Sequence, residues 1–249
     1  MQASEIVGKE QAERRVLTLG GAPGESFISQ TLSAGLQLVL PGERARAHRH
    51  AASALRFVLE SDGAFTTVNG ECIAMAPGDL VVTPAWSWHG HGNAGASPAI
   101  WLDGLDAPIA RALGAMPVPA TPAIGAGRSV TRAEMWSRMA ALMTGTRPDA
   151  AHGWRLRYPD PAPTLSAFMQ CFPEGFESLC TGCEATCVLC VLEGRLEAHI
   201  GTSVFECVPY DLLFVAAGLP TRWRALARCL VFSFSDLALR ERLAFAERS

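Results

Sequence analysis

From Thr31 onward, short apolar runs alternate with residues that favour turns. These runs read "LQLVLPGE", "ALRFVLESDG", "AFTTVNGE" and "DLVVTPAW", and Pro-Gly, Asp-Gly and Asn-Gly dipeptides close the first three. Apolar runs bounded in this way are typical of β-strands joined by tight turns. Asn69-Gly70 predicts a two-residue hairpin, because that turn requires a positive φ at both positions. Strands this short and evenly spaced predict a β-barrel or sandwich.

The same apolar pattern returns near the end of the chain, in "LSAFMQCFPEG", "VLCVLEGRLEAHIG" and "YDLLFVAA". Aligning "FVLES" with "CVLEG" places Glu60 on Glu193, 133 residues apart. Aligning "GDLVVTP" with "YDLLFVA" places Asp79 on Asp211, 132 residues apart. Two similar offsets in two separate strands indicate an internal repeat. The chain is therefore predicted to contain two copies of one β-domain.

The segment between the copies is rich in Ala, Pro and Gly and contains one helical pattern, "TRAEMWSRMAALM". Thr131 is a candidate cap for this helix, and Glu134, three residues later, would complete a capping box. The predicted organisation is an N-terminal segment (1–30), a first β-domain (31–110), a linker with a helix (111–163) and a second β-domain (164–249).

Composition and charge narrow the classes of protein. The 249 residues are 49% apolar, with a mean hydropathy of +0.18, which is enough to fill a large core. A net charge of −3 offers no basic surface for nucleic acid or an anionic membrane. No run approaches the roughly 18 apolar residues of a membrane span, and the polar start, "MQASEIVGKEQAERR", does not have the pattern of a secretory signal. The expected location is cytoplasmic.

Eight cysteines are present, and four of them lie in "CTGCEATCVLC". All are expected to be reduced, since no export signal is evident. Two CxxC pairs are compatible with a zinc site, but only three residues separate the pairs, whereas structural zinc sites usually have a longer loop. In a strand, Cys187 and Cys190 would also point to opposite faces. Buried free thiols that pack as small apolar residues are the favoured interpretation.

Two blocks of the first copy contain four of the six histidines: "GERARAHRH", which begins at Gly42, and "GDLVVTPAWSWHGHGN", which begins at Gly78. In residue types and in spacing, these blocks resemble the two motifs of the cupin superfamily. Cupins are small β-barrels with a metal in the mouth of the barrel. Trp86, Trp88 and Trp101, in or near the second block, are interpreted as barrel packing.

The histidines of these blocks suit a metal centre. His48 and His50 lie two positions apart and therefore on one face of a strand, and His89, from another strand, would complete a set of three. Neutral imidazole binds Fe, Zn, Cu or Ni, and three ligands on one face leave positions open for substrate and oxygen. Many cupins have a Glu ligand after the second His, where this chain has Arg56. Arg cannot bind a metal but binds carboxylates in a bidentate way, which suits a substrate that brings its own carboxylate.

The stretch "AHRHAASALRFVLESDGAFTTVNGECIAMAPGDLVVTPAWSWHGHGNAGASPAIWLDGLDAP" resembles the gentisate 1,2-dioxygenase family, which includes salicylate and 1-hydroxy-2-naphthoate dioxygenases. "AERRVLTL", "GLQLVLPGE" and "FSFSDLALRERLAF" also resemble segments of that family. The resemblance implies an all-β bicupin, that is, two double-stranded β-helix (jelly-roll) barrels with a short helical linker. It also implies that the N-terminal segment, 1–30, is shorter than in the family.

The resemblance further implies an Fe(II)-dependent dioxygenase that uses O2 to cleave the ring of a hydroxylated aromatic carboxylate, so that gentisate would give maleylpyruvate. Residue by residue, His48, His50 and His89 match the iron ligands. Arg56 matches the Arg that contacts the substrate, and Gln37 matches a Gln of the pocket. His91 matches a His near the substrate oxygens that donates a hydrogen bond or carries a proton. Asp103 is a candidate for orienting a histidine.

The second copy is predicted to be metal-free, because Thr181, Cys183 and Thr221 stand at the positions of the three ligands. A homo-oligomer, either a tetramer or a dimer, is expected from the resemblance and from exposed barrel edges. Two other functions stay open. One is a non-catalytic or decayed metal-cupin that binds an aromatic acid. The other is a cupin enzyme of another class, such as an isomerase or a dioxygenase of non-aromatic substrates that uses Mn, Ni or Zn. Arg56, in place of the usual Glu, argues against it.

Overall fold

A boundary between Arg132 and Ala133 divides the chain into two compact units. The computed structural model describes residues 15–21, 27–114, 126–159 and 161–246. No helix in these ranges is both long enough and apolar enough to cross a membrane.

The described part of the first unit is built almost entirely of strands. Its elements, in chain order, are β1 (Arg15–Leu19), β2 (Ser33–Val39), β3 (Arg44–His48), β4 (Ala54–Glu60), β5 (Ala64–Val68), β6 (Glu71–Met75), β7 (Leu80–Thr83), β8 (His89–Asn93), β9 (Ala99–Leu105), helix α1 (Ala107–Ala112) and β10 (Arg128–Val130). The strands form an antiparallel sheet in the order β1-β2-β9-β4-β7-β10 and a second one in the order β3-β8-β5-β6.

The second unit has the same construction. Helix α2 (Arg132–Gly145) leads into it, and its elements are β11 (Trp154–Arg157), β12 (Ser166–Phe172), β13 (Thr181–Gly182), β14 (Cys187–Glu193), β15 (Leu196–Ile200), β16 (Ser203–Cys207), β17 (Leu212–Val215), β18 (Pro220–Ala225), β19 (Cys229–Ser235) and helix α3 (Leu237–Ala246). Its sheets have the orders β11-β12-β19-β14-β17 and β13-β18-β15-β16.

Each unit has its core between its two sheets. In the first unit, Trp101 and Val58 of the larger sheet meet Ala64 and Met75 of the smaller one. In the second unit, one apolar cluster likewise contains residues of both sheets. Burial of the inner faces of two sheets is the main stabilising interaction in such a fold. The predicted all-β architecture is confirmed.

The internal repeat is visible in the strand order. The order β2-β9-β4-β7 of the first unit recurs as β12-β19-β14-β17, and β3-β8-β5-β6 recurs as β13-β18-β15-β16.

A buried aspartate makes the same hydrogen bond in both units. Asp106 Oδ1 accepts a 2.7 Å hydrogen bond from the Ser53 amide, and Asp236 Oδ1 accepts a 2.9 Å bond from the Thr186 amide. In both units this contact joins the start of a central strand to the end of its neighbour.

The Asn-Gly hairpin forms as predicted. Asn69 and Gly70 both have positive φ values, 49° and 88°, and connect β5 to β6, with Val68 paired to Glu71. The Asn69 side chain also accepts a 3.0 Å hydrogen bond from the backbone amide of Trp88. Two positive φ angles match the right-handed twist of the flanking strands.

The segment predicted as a linker contains the predicted helix and two short strands, β10 and β11. Helix α2 begins at Arg132, whose amide donates a 2.9 Å hydrogen bond to Asp79 Oδ1. On either side of the helix, β10 pairs with β7 and β11 pairs with β12, so this segment supplies an edge strand to each unit. Strand β1 does the same within residues 1–30. These edge strands were not predicted because they are short and lack a clear apolar run. The predicted domain limits remain a prediction.

The sequence analysis favoured buried cysteines, but the cysteines of the structure range from buried to exposed. All eight are free, and Cys171, Cys190, Cys207 and Cys229 are buried, as the packing interpretation requires. Cys180 is exposed, while Cys183 and Cys187 are partly exposed. Among the described residues, no cysteine belongs to a group of three or more potential metal ligands. The packing interpretation therefore holds for Cys190, which is buried, and for Cys183 and Cys187, which pack against the apolar cluster of the second unit, but not for the exposed Cys180.

The buried carboxylate offers a test of the fold. Asp106→Ala removes the acceptor of the Ser53 amide and leaves a buried donor without its partner, so we expect the free energy of unfolding to fall by about 1–3 kcal/mol. Asp106→Asn retains an acceptor oxygen and should lose less. Urea unfolding measures both changes. Equal stability of the wild type and Asp106→Ala would show that this contact does not hold the strand ends together.

Candidate metal centre and adjoining cavity

Three imidazoles meet in the first unit. His48 ends β3 and pairs directly with His89, the first residue of β8, while His50 lies just beyond β3. Their potential ligand atoms all lie within 4.8 Å of one another. Ring centroids are 4.3 Å apart for His48 and His89, and 4.8 Å apart for His50 and His89. No other group of three such side chains is found in the described ranges, so the predicted His set comes together as one candidate metal site.

Backbone carbonyls fix the orientation of all three rings. Each Nδ1 donates to a carbonyl two residues away in sequence: His48 to Arg46 at 3.2 Å, His50 to Ala52 at 2.8 Å and His89 to Ser87 at 2.8 Å. A proton on Nδ1 leaves the lone pair on Nε2, which is the usual arrangement for a metal-binding histidine. The local chain path therefore sets the ring tautomer at this site.

His89 is the most deeply placed of the three. Its side chain is buried, and no described residue hydrogen-bonds to its Nε2. Burial, followed by the positive charge of Arg56, lowers the pKa of His89 to about 2. The ring is therefore neutral at physiological pH. A neutral, buried imidazole with a partnerless Nε2 beside two further imidazoles fits a divalent transition-metal ion.

Arg56 is buried at the centre of the larger sheet, with 2% of its surface exposed. Its Nη1 donates a 2.6 Å hydrogen bond to Thr83 Oγ1, and its Nε lies 3.5 Å from Asp103 Oδ1. Arg56 and Asp103 are also direct partners across β4 and β9. A buried guanidinium needs a counter-charge, and the strand register supplies Asp103.

Asp103 and His91 both contact Trp101. Asp103 Oδ1 accepts a 3.1 Å hydrogen bond from Trp101 Nε1, in addition to its contact with Arg56. The His91 ring lies 5.4 Å from Trp101 and 5.8 Å from His89, measured between centroids. The structure thus places Asp103 beside a guanidinium and an indole, while its predicted role in orienting a histidine stays a prediction.

The tryptophans of this region have different environments. Trp101 is fully buried in the core between the sheets, as predicted. Trp88 is 48% exposed, and the Arg49 guanidinium lies 5.0 Å from its ring centroid. The packing interpretation is therefore wrong for Trp88, because the turn before β8 directs it outward. Trp86 adopts a φ of 62°, and its amide donates a 2.8 Å hydrogen bond to the His50 carbonyl.

A cavity of about 160 Å³ adjoins the His set. Gln37, His50, Arg56 and Asp103 line it together with residues of β1 and β2. Gln37 is 1% exposed, and neither atom of its amide has a hydrogen-bond partner among the described residues. In the second unit the equivalent Gln170 does have partners, the Ser233 hydroxyl at 3.4 Å and the His152 carbonyl at 3.5 Å. A buried amide without a partner is costly, so the cavity is suited to a polar ligand.

Two contributors to this site were not predicted. Thr83 holds the Arg56 guanidinium, and Val16 and Thr18 of β1 form one wall of the cavity. The "VVTP" run of the second block contains Thr83 and marks a strand end, but nothing in the sequence pairs it with Arg56. Strand β1 was hidden because it lies at a sheet edge, where the apolar pattern is weak.

Comparison with known proteins decides the family. A cupin domain model matches residues 35–104. Gentisate 1,2 dioxygenase 1 of Aquipseudomonas alcaligenes is 34% identical over 287 aligned positions, covering 100% of this chain and 83% of the relative. The chain belongs to the gentisate 1,2-dioxygenase family. It is a ring-cleaving dioxygenase of aromatic compounds, as predicted.

Other relatives in this family act on different aromatic acids. A 5-aminosalicylate 1,2-dioxygenase of Comamonas sp is 42% identical over 118 residues, which cover 45% of this chain and 32% of the relative. The crystal structure of a salicylate 1,2-dioxygenase from Pseudoaminobacter salicylatoxidans with gentisate has a TM-score of 0.83 and 27% identity. That match covers 95% of this chain and 77% of the crystallised chain. The predicted bicupin fold is confirmed.

The His set predicts where a metal binds. We expect His48→Ala, His50→Ala and His89→Ala each to reduce bound divalent metal from about one ion per chain to near zero, since three ligands are few for a transition metal. His199→Ala, in the second unit, is the matched control and should bind metal as the wild type does. Elemental analysis after anaerobic loading measures the content. Unchanged metal in the three variants would place the site elsewhere.

Proposed function

We propose that this protein is an Fe(II)-dependent dioxygenase that cleaves a one-ring hydroxylated aromatic carboxylate between the carboxyl-bearing carbon and the adjacent hydroxylated carbon. The observation that supports this most is the buried guanidinium of Arg56 in a cavity that also contains His50. A positive charge and a metal ligand on one small cavity suit a substrate with a carboxylate beside a metal-binding hydroxyl.

His48, His50 and His89 would hold the iron, with Nε2 as the donor atom of each ring. When bound, Fe(II) supplies the redox chemistry that couples O2 to the aromatic ring. The contribution of the chain is the geometry around it. Carbonyl-anchored rings keep the three donors in place before any ligand arrives, which avoids the cost of ordering them during the reaction.

Arg56 would bind the substrate carboxylate. Thr83 and Asp103 fix the position of its guanidinium, so that little side-chain freedom is lost on binding. Because Asp103 lies only 3.5 Å from Nε, it offsets part of the positive charge that Arg56 adds next to the metal site. The remaining positive field favours an anionic ligand and orients its acid group.

Gln37 and His91 would contact the oxygen atoms of the substrate. The Gln37 amide has both a donor and an acceptor available in the cavity, so it is suited to a ring hydroxyl. His91 is buried next to His89 and Trp101, within a water-poor region. There it would donate a hydrogen bond to a substrate oxygen or take up a proton as the ring opens.

The size of the cavity supports a substrate with a single ring. Its volume is about 160 Å³, and an enclosed cavity of about 150 Å³ is known to hold one benzene molecule. The single ring of gentisate or salicylate therefore fits this cavity. The cytoplasmic location and the homo-oligomer, either a tetramer or a dimer, stay predictions.

Oxygen consumption tests the proposed function. Protein loaded with Fe(II) receives gentisate, salicylate and 1-hydroxy-2-naphthoate in turn, with ultraviolet detection of the ring-opened acid. We expect O2 uptake matched about one-to-one by product with a one-ring acid, because both oxygen atoms enter the product. Binding of these acids without uptake would instead support the non-catalytic, aromatic-acid-binding alternative.

The role of Arg56 is tested by Arg56→Gln. Loss of a charge-assisted contact worth roughly 1.5–3 kcal/mol should raise the Kd for the acid about 10- to 100-fold, while iron content stays unchanged. The exposed Arg44→Gln is the matched control and should leave the Kd unaltered. Calorimetric titration and elemental analysis provide the two readouts. Loss of iron in Arg56→Gln would show that this residue has a structural role.

Gln37→Leu should change substrate binding and protein stability in opposite directions. The substitution removes a buried amide without a partner, so we expect unfolding to require about 1–3 kcal/mol more, while KM for the acid rises. Gln170→Leu, at the equivalent place in the second unit, should leave KM unchanged. Thermal unfolding and steady-state oxygen uptake measure the two effects. A stable variant with wild-type KM would remove Gln37 from the substrate contacts.

A further inference from the structure

The second unit has its own cavity where the first unit has its metal site. This cavity is about 280 Å³ in volume and is lined by residues that include Arg155, Phe168, Gln170, Cys183 and Cys187. Thr181 pairs with Thr221 across β13 and β18, as His48 pairs with His89 in the first unit. Cys183 stands two residues beyond Thr181, in the position of His50. Thiols and hydroxyls have thus replaced the imidazoles, as the sequence predicted.

Two of the thiols face each other at this cavity. The Sγ atoms of Cys183 and Cys187 are 3.8 Å apart, within hydrogen-bond contact. Cys183 Sγ also contacts the Ala185 carbonyl oxygen at 3.0 Å, and the chain bends at Glu184 and Ala185 between the two cysteines. Cys187 is the first residue of β14 and pairs with Val215 and Ser235, which holds it in place. Both cysteines are partly exposed, so small molecules in the cavity can reach them.

The two thiols differ in pKa. The hydrogen bond from Cys187 lowers the pKa of Cys183 to about 7; Arg155 supports this shift, while burial and the Glu184 carboxylate oppose it. The same hydrogen bond, together with burial, raises the pKa of Cys187 well above its usual value. Cys183 therefore ionises more readily than Cys187, which makes it the preferred nucleophile of the pair.

We propose that Cys183 and Cys187 are a redox modification site, at which a hydroperoxide converts the two thiols into a reversible intramolecular disulfide. In the first step the Cys183 sulfur attacks one peroxide oxygen, the O–O bond breaks, and Cys183 becomes a sulfenic acid while the other oxygen leaves as water or an alcohol. In the second step the Cys187 sulfur attacks the Cys183 sulfur and water leaves. With hydrogen peroxide, two thiols and one peroxide give one disulfide and two waters.

The surroundings favour this pair over the other cysteines. Burial raises the pKa of Cys190 and of Cys229 to about 12, which keeps these thiols protonated and unreactive. Cys72 and Cys180 are exposed, but in the part of the chain that the structure describes neither has a hydrogen-bond contact with a second thiol. The sulfur contact of 3.8 Å makes the two thiols direct neighbours, and an approach of about 1.8 Å brings them to the disulfide bond length of about 2.0 Å. Both cysteines belong to the second unit and none of the residues proposed for ring cleavage does, so this inference does not rest on the proposed function.

The test uses the full chain with about one equivalent of hydrogen peroxide, followed by alkylation of the remaining thiols. The oxidised protein should be lighter by about 2 Da before alkylation, and dithiothreitol should reverse the change. Cleavage after Glu184 separates Cys183 from Cys187, so that only a disulfide would keep the two peptides together. Non-reducing mass spectrometry of this digest identifies the linkage.

Variants assign the linkage to the two residues. Cys183→Ser should abolish it, and Cys187→Ser should leave a sulfenic acid on Cys183 that a dimedone probe captures. Cys180→Ser and Cys72→Ser are the matched controls and should form the disulfide as the wild type does. The proposal is overturned by a linkage that persists in Cys183→Ser or disappears in Cys180→Ser, and equally by a wild-type protein that keeps all its thiols after oxidation.

Discussion

The candidate site depends on strand register. His48 faces His89 across β3 and β8, and Arg56 faces Asp103 across β4 and β9. Side chains alternate between the two faces of a sheet, so a slip of one residue in either pair would turn one partner away from the other. The register is held by the burial of the inner faces around Trp101 and by hairpins such as Asn69-Gly70. Stability of the barrel and geometry of the site therefore have the same origin.

Comparison of the two units shows which features belong to the scaffold and which to the site. Asp106 and Asp236 make the same strand-joining hydrogen bond, and the strand orders match, so these features serve the fold. Gln37 and Gln170 occupy equivalent positions, yet among the described residues partners are found for the Gln170 amide and not for the Gln37 amide. This difference supports the proposed contact of Gln37 with a ligand.

The fold and the histidines of the candidate site could be predicted from the sequence, whereas several contacts around them could not. The two blocks indicated that His48, His50 and His89 would come together, although β3 ends at His48, so His50 does not share a strand face with it as the period of two predicted. Thr83 could not be predicted, because its contact with Arg56 depends on how two strands align. Trp88 was misassigned, since residue type alone does not tell whether a turn directs a side chain outward. The contact of Cys183 with Cys187 was not predicted for a related reason, because it depends on a bend of the chain between them.

Arg56 creates an electrostatic problem that the site resolves in two ways. Its charge lies close enough to His89 to help keep that ring neutral, which preserves the imidazole as a metal ligand. The same charge would oppose the binding of a cation nearby, because like charges repel strongly where water is scarce. Asp103 offsets part of this repulsion from within the chain. An aromatic acid that brings a carboxylate would offset more, so the metal and an anionic substrate should each strengthen the binding of the other.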